Sequence, residues 1–202
     1  LQRSQLSEAT TSLRRAFVYF ATSGDVANAV AVAEQTLPPM NGQRTEMPEI
    51  VSRALDLVSP DSHDSARLWS CYGRWVGIEQ NNYKDSSESF DRALVLARRL
   101  GDVDLEMKTY SSFAQVEAFH LHLEDCLANS LRSAELAQKV NKPVAEVVGR
   151  LELGDQLRGD LVGFGGIGLG NVLEVLGRTK RLLFEYVPQA LAQALVFGSS
   201  DV

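Results

Sequence analysis

The sequence predicts an all-α protein built from antiparallel helix pairs that stack on one another. Apolar residues recur at three- and four-residue spacing, and no segment sustains a strict alternation of apolar and polar residues. One segment also returns forty residues later: Phe90-Asp-Arg-Ala-Leu-Val-Leu-Ala97 is echoed by Ser130-Leu-Arg-Ser-Ala-Glu-Leu-Ala137. Because one helix pair cannot cover its apolar face alone, we expect equivalent pairs to stack.

The composition and charge of the chain argue against several classes of function. The chain has 202 residues, of which 45% are hydrophobic and 23% charged, so it can bury a core without disulfides or structural metals. The net charge of −6 argues against direct binding of nucleic acid, whose phosphates repel an acidic surface. Cys71 and Cys126 are interpreted as small buried thiols of a cytoplasmic protein. No apolar run approaches the roughly 18 residues that a membrane span needs.

The first part of the chain predicts three helices. Two apolar stripes before residue 35 indicate two helices broken at Gly24-Asp25. Residues 38–48 contain Pro and Gly and predict a loop. A short helix is predicted over residues 50–58, and it ends before Pro60. Asp61 or Ser62 then offers an N-cap oxygen for a helix from about residue 65 to residue 80.

The remaining helices follow at regular intervals. Helices are predicted over residues 83–100, 104–122 and 124–140, with Gly101-Asp102 as the turn that ends the first and caps the second. Beyond them, further helices are predicted over 144–157, 170–176 and 179–196. We therefore divide the chain into an N-terminal helix pair with its loop, a repeat core, and C-terminal helices with a glycine-rich stretch, at 1–45, 46–142 and 143–202.

The residues of the core resemble tetratricopeptide repeats. Small and aromatic residues at the family's second-helix positions are Tyr83, Ser86, Phe90 and Ala93, and Trp69, Tyr72 and Gly73 lie close to its first-helix positions. The next copy places Tyr110, Phe113, Ala114, Cys126 and Ser130 in the equivalent positions, with Ser130 where a large aromatic is usual. The resemblance implies a right-handed α-solenoid of stacked helix pairs.

The forty-residue period and the Leu100-Gly-Asp102 turn are similar to one subgroup of these repeats. That subgroup is the repeat region of bacterial signal-transduction ATPases, including the maltose-activator-like LuxR-family transcription regulators. The resemblance implies a non-catalytic sensor or scaffold segment that binds a protein or peptide partner, or a small-molecule inducer. The chain starts at Leu1 without a methionine, so we expect it to be part of a longer polypeptide whose ATPase and DNA-binding modules lie elsewhere. A free-standing adaptor is the alternative.

In such arrays the first helix of each pair lines a concave groove. The resemblance places the groove residues at Tyr72, Trp75 and Glu79 in one copy and at Lys108, Ser112, Gln115 and Phe119 in the next. Aromatic residues provide rigid contact area, and Lys108 could meet a carboxylate of a partner. Tyr72 and Trp75 are equally well interpreted as core residues, because each helix pair must bury two faces.

Three motifs suggest chemistry, and each has a simpler interpretation. Gly163, Gly165 and Gly168 form a G-x-G-x-x-G string within residues 163–170, which would make the chain a nucleotide-binding enzyme. Only a two-residue stretch precedes the string as a possible strand, so glycine at a close helix contact is favoured. Ser62-His63-Asp64 contains the residue types of a catalytic triad but is interpreted as a helix cap. We therefore predict no catalytic residue and no cofactor.

The third motif combines Glu117-x-x-His120 with His122-x-Glu124 and contains metal-ligand residue types. If the predicted helix runs through residue 122, the two histidines point about 200° apart, at about 100° per residue. They could not then converge on one ion. We interpret the motif as a solvated helix end and predict no metal site.

Overall fold

A computed structural model describes residues 2–35 and 45–140, and within these ranges every regular element is a helix. The helices are α1 (Gln2–Ser23), α2 (Val26–Ala33), α3 (Met47–Leu55), α4 (His63–Glu79), α5 (Tyr83–Leu100), α6 (Val103–Phe119) and α7 (Leu123–Lys139). The all-α prediction is confirmed for this part of the chain. The helices predicted after residue 143 and residues 38–44 of the predicted loop lie outside the described residues. The helix predicted over 50–58 was placed three residues too late, because α3 spans Met47–Leu55 and includes the last two residues of the loop predicted over 38–48.

The N-terminal helices form one core with α4. Gly24 has a φ of 77°, a conformation that glycine adopts without steric cost, and it turns the chain between α1 and α2 as predicted. Asp25 then caps α2 by accepting a hydrogen bond from the Asn28 backbone at 3.2 Å. The buried side chains of this core come from all four helices and include Phe17, Val30, Met47, Val51 and Leu68.

The next four helices form two pairs, α4–α5 and α6–α7, and a side-chain cap marks the start of each except α7. Ser62 caps α4 by accepting from the Ser65 backbone at 3.1 Å, and Asn82 caps α5 through the Asp85 backbone at 3.2 Å. Gly101 ends α5 in the left-handed conformation, with a φ of 69°. Of the two caps predicted for α4, Asp61 or Ser62, the structure has Ser62. The Gly101-Asp102 turn is confirmed, since Asp102 also caps α6.

The forty-residue period is present in the helix bounds. Helix α6 begins and ends forty residues after α4, α7 begins forty residues after α5, and α7 ends within one residue of the expected place. Both pairs also close on a three-residue turn whose middle residue has a positive φ, at Asn81 (53°) and at Leu121 (62°). The two copies therefore share their backbone course as well as part of their sequence.

The small residue Gly77 allows the two pairs to approach closely. A Cβ atom at Gly77 would lie 2.6 Å from Val116 of α6 and 2.7 Å from the Ser86 hydroxyl of α5. The Phe90 and Phe113 rings stack across the pairs with centroids 4.6 Å apart. Helix α4 thus contacts α5, its partner in the pair, and also α6, the first helix of the next pair.

Candidate functional site: the inner helices and the α6–α7 turn

Helices α4 and α6 are the more buried helices of the two pairs, and we call them the inner helices. Residues 65–79 of α4 and all of α6 are buried or half-buried, whereas α5 carries an exposed stripe that includes Lys84, Glu88 and Val95. This difference arises because each inner helix has packed neighbours on both sides. What remains accessible on the inner helices is a stripe of half-exposed side chains.

The three predicted groove residues of α4 all contact the part of the chain that precedes α4. Trp75 is 4% exposed and packs in the N-terminal core, and Tyr72 is half-buried against the same core with its ring edge toward Trp69. Glu79 accepts hydrogen bonds from the Thr45 backbone at 2.9 Å and from the Thr45 hydroxyl at 2.5 Å. Burial raises the pKa of the Glu79 carboxyl, while the two bonds from Thr45 act to lower it. These three residues therefore face the preceding helices.

The predicted residues of α6 keep more accessible surface. Ser112 is 9% exposed, whereas Lys108, Gln115 and Phe119 are half-exposed. The Lys108 ammonium pairs with Asp104 one turn earlier, at 3.1 Å. A partner carboxylate could compete for this ammonium, because the ion pair is open to solvent.

Sequence reasoning missed part of the accessible stripe. On α4 the half-exposed residues at three- and four-residue spacing are Arg67, Cys71 and Arg74, and on α6 they are Lys108, Ser111 and Gln115. We call these six residues the inner face. Cys71 and Ser111 occupy equivalent positions of the two copies. The three-residue spacing of Cys71 and Arg74 is visible in the sequence. Tyr72 and Trp75 have the same spacing one position later, and their aromatic rings made that stripe the predicted one.

A cluster of titratable side chains lies at the α6–α7 turn. Glu117 is 1% exposed, and its Oε1 accepts a hydrogen bond from the Tyr83 hydroxyl at 2.8 Å. Its Oε2 lies 3.0 Å from His122 Nδ1, which donates in the tautomer that satisfies both groups. Asp125 completes the cluster, since one ligand atom each from Glu117, His122 and Asp125 lie within 4.8 Å of one another.

The surroundings of Glu117 set its protonation. Burial raises the pKa of the Glu117 carboxyl, the Tyr83 hydrogen bond and His122 lower it, and the negative charge of Asp125 raises it. Burial and the bond to Glu117 raise the pKa of Tyr83 to about 12, so its hydroxyl stays protonated and remains a donor. His122 also contacts the Tyr83 ring edge-on, with centroids 4.3 Å apart.

The expectation that residues 104–122 form one helix was wrong. Helix α6 ends at Phe119, Leu121 takes a left-handed conformation, and His122 is the N-cap residue of α7. The two histidines therefore do not lie on one helix: His120 is the C-cap residue of α6, and His122 follows Leu121 in the turn. His120 instead lies with Nε2 2.9 Å from the Gly77 carbonyl oxygen, and it joins the end of α6 to α4.

The Ser62-His63-Asp64 run does not form a triad. Ser62 caps α4, His63 Nδ1 lies 3.2 Å from Asp102, and Asp64 pairs with Arg67 at 2.7 Å. The three side chains therefore have separate partners, and Ser62 acts as a helix cap. The glycine string over 163–170 lies outside the described residues.

Comparisons with known proteins give no family assignment. No family model matches the sequence, and no match was found among curated proteins or among solved structures. In the part of the chain that the structure describes, no helix is long and apolar enough to cross a membrane.

Proposed function

We propose that this chain is a non-catalytic helical-repeat segment that binds a protein or peptide partner along its inner face. The observation that carries the proposal is the forty-residue correspondence of the helix pairs α4–α5 and α6–α7. Repeated pairs place the accessible stripes of α4 and α6 in neighbouring copies, with Cys71 and Ser111 at equivalent positions, and an extended surface of this kind suits an elongated ligand. A right-handed tetratricopeptide-like solenoid is the arrangement that we propose for the whole array.

The charges of the inner face favour a partner that carries carboxylates. Arg67, Arg74 and Lys108 contribute three cations, and Arg67 and Lys108 are held by acidic neighbours from this chain. Such pairs hold the basic groups in place at little energetic gain, because exposed ion pairs contribute about 0–1 kcal/mol. A partner carboxylate can therefore replace an internal one at small cost. We propose an acidic or C-terminal peptide segment as the ligand.

Photo-crosslinking tests whether this face binds. A p-benzoylphenylalanine residue is placed at Ser111 on the inner face, and a control is placed at Val95, which is 61% exposed on the outer side of α5. In cells of the source organism, we expect a discrete crosslinked product from position 111 and none from position 95. Equal crosslinking from both positions, or none from either, would contradict the proposal.

A charge-reversal pair tests the chemistry of recognition with the crosslinked partner in purified form. Lys108→Glu should weaken binding by about tenfold or more, because it places like charges at the contact. Lys84→Glu on the exposed side of α5 makes the same charge change and should alter the dissociation constant by less than about twofold. Similar weakening by both variants would show that only the net charge matters and would argue against a specific inner-face contact.

The more detailed proposal concerns the larger protein. We propose that the segment serves as a sensor or scaffold within a cytoplasmic bacterial signal-transduction ATPase or LuxR-family regulator. Its support is the resemblance of the repeat length and of the Leu100-Gly-Asp102 turn. The coding sequence on either side tests this directly. A phosphate-binding loop upstream and a helix-turn-helix downstream are expected, and their absence would favour a free-standing adaptor.

A further inference from the structure

The α6–α7 turn combines nitrogen and oxygen donors around a carboxylate that is almost fully buried. Burial of a charged carboxylate is costly unless an opposite charge accompanies it. Here Glu117 Oε2 lies 3.0 Å from His122 Nδ1, and Asp125 adds a second carboxylate with a donor atom within 4.8 Å of those of the other two. Two carboxylates beside one imidazole give the cluster excess negative charge, and a divalent cation would neutralise it.

We propose that Glu117, His122 and Asp125 together bind one divalent cation of borderline softness, with Zn²⁺ as the prime candidate. One imidazole nitrogen with two carboxylate oxygens is a donor set that suits Zn²⁺ better than Mg²⁺ or Ca²⁺, which prefer oxygen alone. Zinc–ligand distances of about 2.0–2.2 Å place neighbouring donors roughly 3.5 Å apart in a tetrahedral site. The three donor atoms already lie within 4.8 Å of one another, so small side-chain rotations suffice.

Tyr83 positions the ligand carboxylate. Its hydroxyl bonds Glu117 Oε1 and leaves Oε2 directed toward His122, so that one oxygen is fixed while the other coordinates. When the cation binds through His122 Nδ1, the proton that lies between Nδ1 and Glu117 Oε2 leaves Nδ1, because the metal takes that lone pair. His122 is half-exposed and Asp125 is exposed, so solvent reaches the cluster and a water molecule would complete the coordination.

The first copy lacks the ligand set at the same turn. The positions forty residues before Glu117, His122 and Asp125 are occupied by Gly77, Asn82 and Asp85. Asn82 there caps α5 through its side chain, whereas His122 makes no such cap bond to α7. The second copy therefore has a carboxylate where the first has a closely packed glycine, and an imidazole where the first has a capping asparagine. A cation at this place would join the end of α6 to the start of α7.

Zinc titration of the full chain tests the site. The protein carries no affinity tag, is stripped with a chelator and is titrated with ZnCl₂ by calorimetry. We expect one Zn²⁺ per chain with a dissociation constant in the micromolar range or below. Asp125→Asn should weaken binding by about tenfold or more. Glu124→Gln removes the same charge from the neighbouring exposed residue and should change the constant by less than about twofold.

Two further readouts separate ligation from a general loss of charge or fold. Co²⁺ should bind at the same stoichiometry with visible d–d absorption, and Zn²⁺ should displace it. The ¹⁵N resonances of the His122 ring should shift on Zn²⁺ addition. Glu117→Gln, checked for helical content by circular dichroism, should reduce both signals. Millimolar binding, equal loss in the two α7 variants, or full competition by equimolar Mg²⁺ would each overturn the proposal.

Discussion

The two helix pairs α4–α5 and α6–α7 follow the same backbone course with different side chains at the decisive positions. Their helices start forty residues apart, and both close on a turn with a left-handed middle residue. Yet Phe90 in the first pair corresponds to Ser130 in the second, and Gly77 corresponds to Glu117. Helix length and turn geometry are therefore shared by the two copies, whereas the sizes of the buried side chains and the chemistry at the turns differ.

The first pair has the larger apolar core, and the second has the titratable cluster. Phe90 is fully buried and stacks on Phe113, so it joins the two copies, whereas Ser130 is a small buried polar residue. At the turns, Asn81-Asn82 provides two residues suited to a left-handed turn and a cap. Leu121-His122 provides neither advantage. We therefore expect the second turn to be locally less stable than the first. It is also the turn at which the donor atoms of Glu117, His122 and Asp125 lie together.

The largest difference between the copies should appear at Phe90. Phe90→Ala removes a fully buried ring and should reduce the free energy of unfolding by about 3–5 kcal/mol. Ser130→Ala at the equivalent position should change it by less than about 1 kcal/mol. Urea unfolding followed by circular dichroism measures both. Equal effects would mean that the two positions are not equivalent in the way that the forty-residue register requires.

The next largest effect should arise at Gly77. Gly77→Ala adds a Cβ that would lie 2.6 Å from Val116 and 2.7 Å from the Ser86 hydroxyl, so these side chains or their helices must shift. We expect a loss of about 1–3 kcal/mol, although alanine favours the helix by up to about 1 kcal/mol. The double variant Gly77→Ala/Val116→Ala should recover part of the overlap cost, as a double-mutant cycle would show. No coupling between these positions would argue against the α4–α6 contact.

Exchanging the middle residues of the two turns should change the stability by a smaller amount, with opposite signs in the two copies. Leu121 is 53% exposed and holds a φ of 62°, so Leu121→Asn should stabilise the metal-free protein by about 1 kcal/mol. Asn81→Leu should destabilise it by about the same amount, because it places a bulky residue in the left-handed region. Thermal unfolding in the presence of a chelator measures both. Effects of the same sign would contradict the shared turn geometry.

The smallest effect should be a change in pH dependence at Glu79. Burial raises the pKa of the folded-state carboxyl above its ordinary value of 4.5, so the folded protein binds more protons than the unfolded chain in this range. Wild-type stability should therefore fall as pH rises from about 4.5 toward neutrality. Glu79→Gln should lack this component, and the stability difference in its favour should grow with pH. Parallel profiles would indicate that Glu79 is solvated in the folded state.

Much of the fold was predictable because local signals agreed with the global pattern. Helix α5 was predicted at its observed bounds, and Ser62, Gly24 and Gly101 marked ends through their own conformational chemistry. The three-residue turn at Leu121 was missed, because a leucine between two histidines has none of the usual turn signals. A forty-residue comparison with Asn81 could have revealed it.

The site was less predictable, because it depends on which of two neighbouring stripes faces solvent. On α4 the stripe through Tyr72 and Trp75 and the stripe through Cys71 and Arg74 have the same helical spacing. Only the packing of α1–α3 against α4 decides that Trp75 enters the core. Likewise, the contact between Tyr83 and Glu117 joins residues in different pairs, and neither periodicity nor local sequence reports such a contact.

The central claim is that the two copies stack through the small residue at Gly77. Nuclear Overhauser contacts between the Val116 methyl protons and the Gly77 α-protons test it most directly, since these groups belong to different copies and meet only if α4 packs on α6. We predict strong contacts there, together with contacts between the Phe90 and Phe113 rings. Absence of both, with contacts inside each pair retained, would contradict the stacked arrangement.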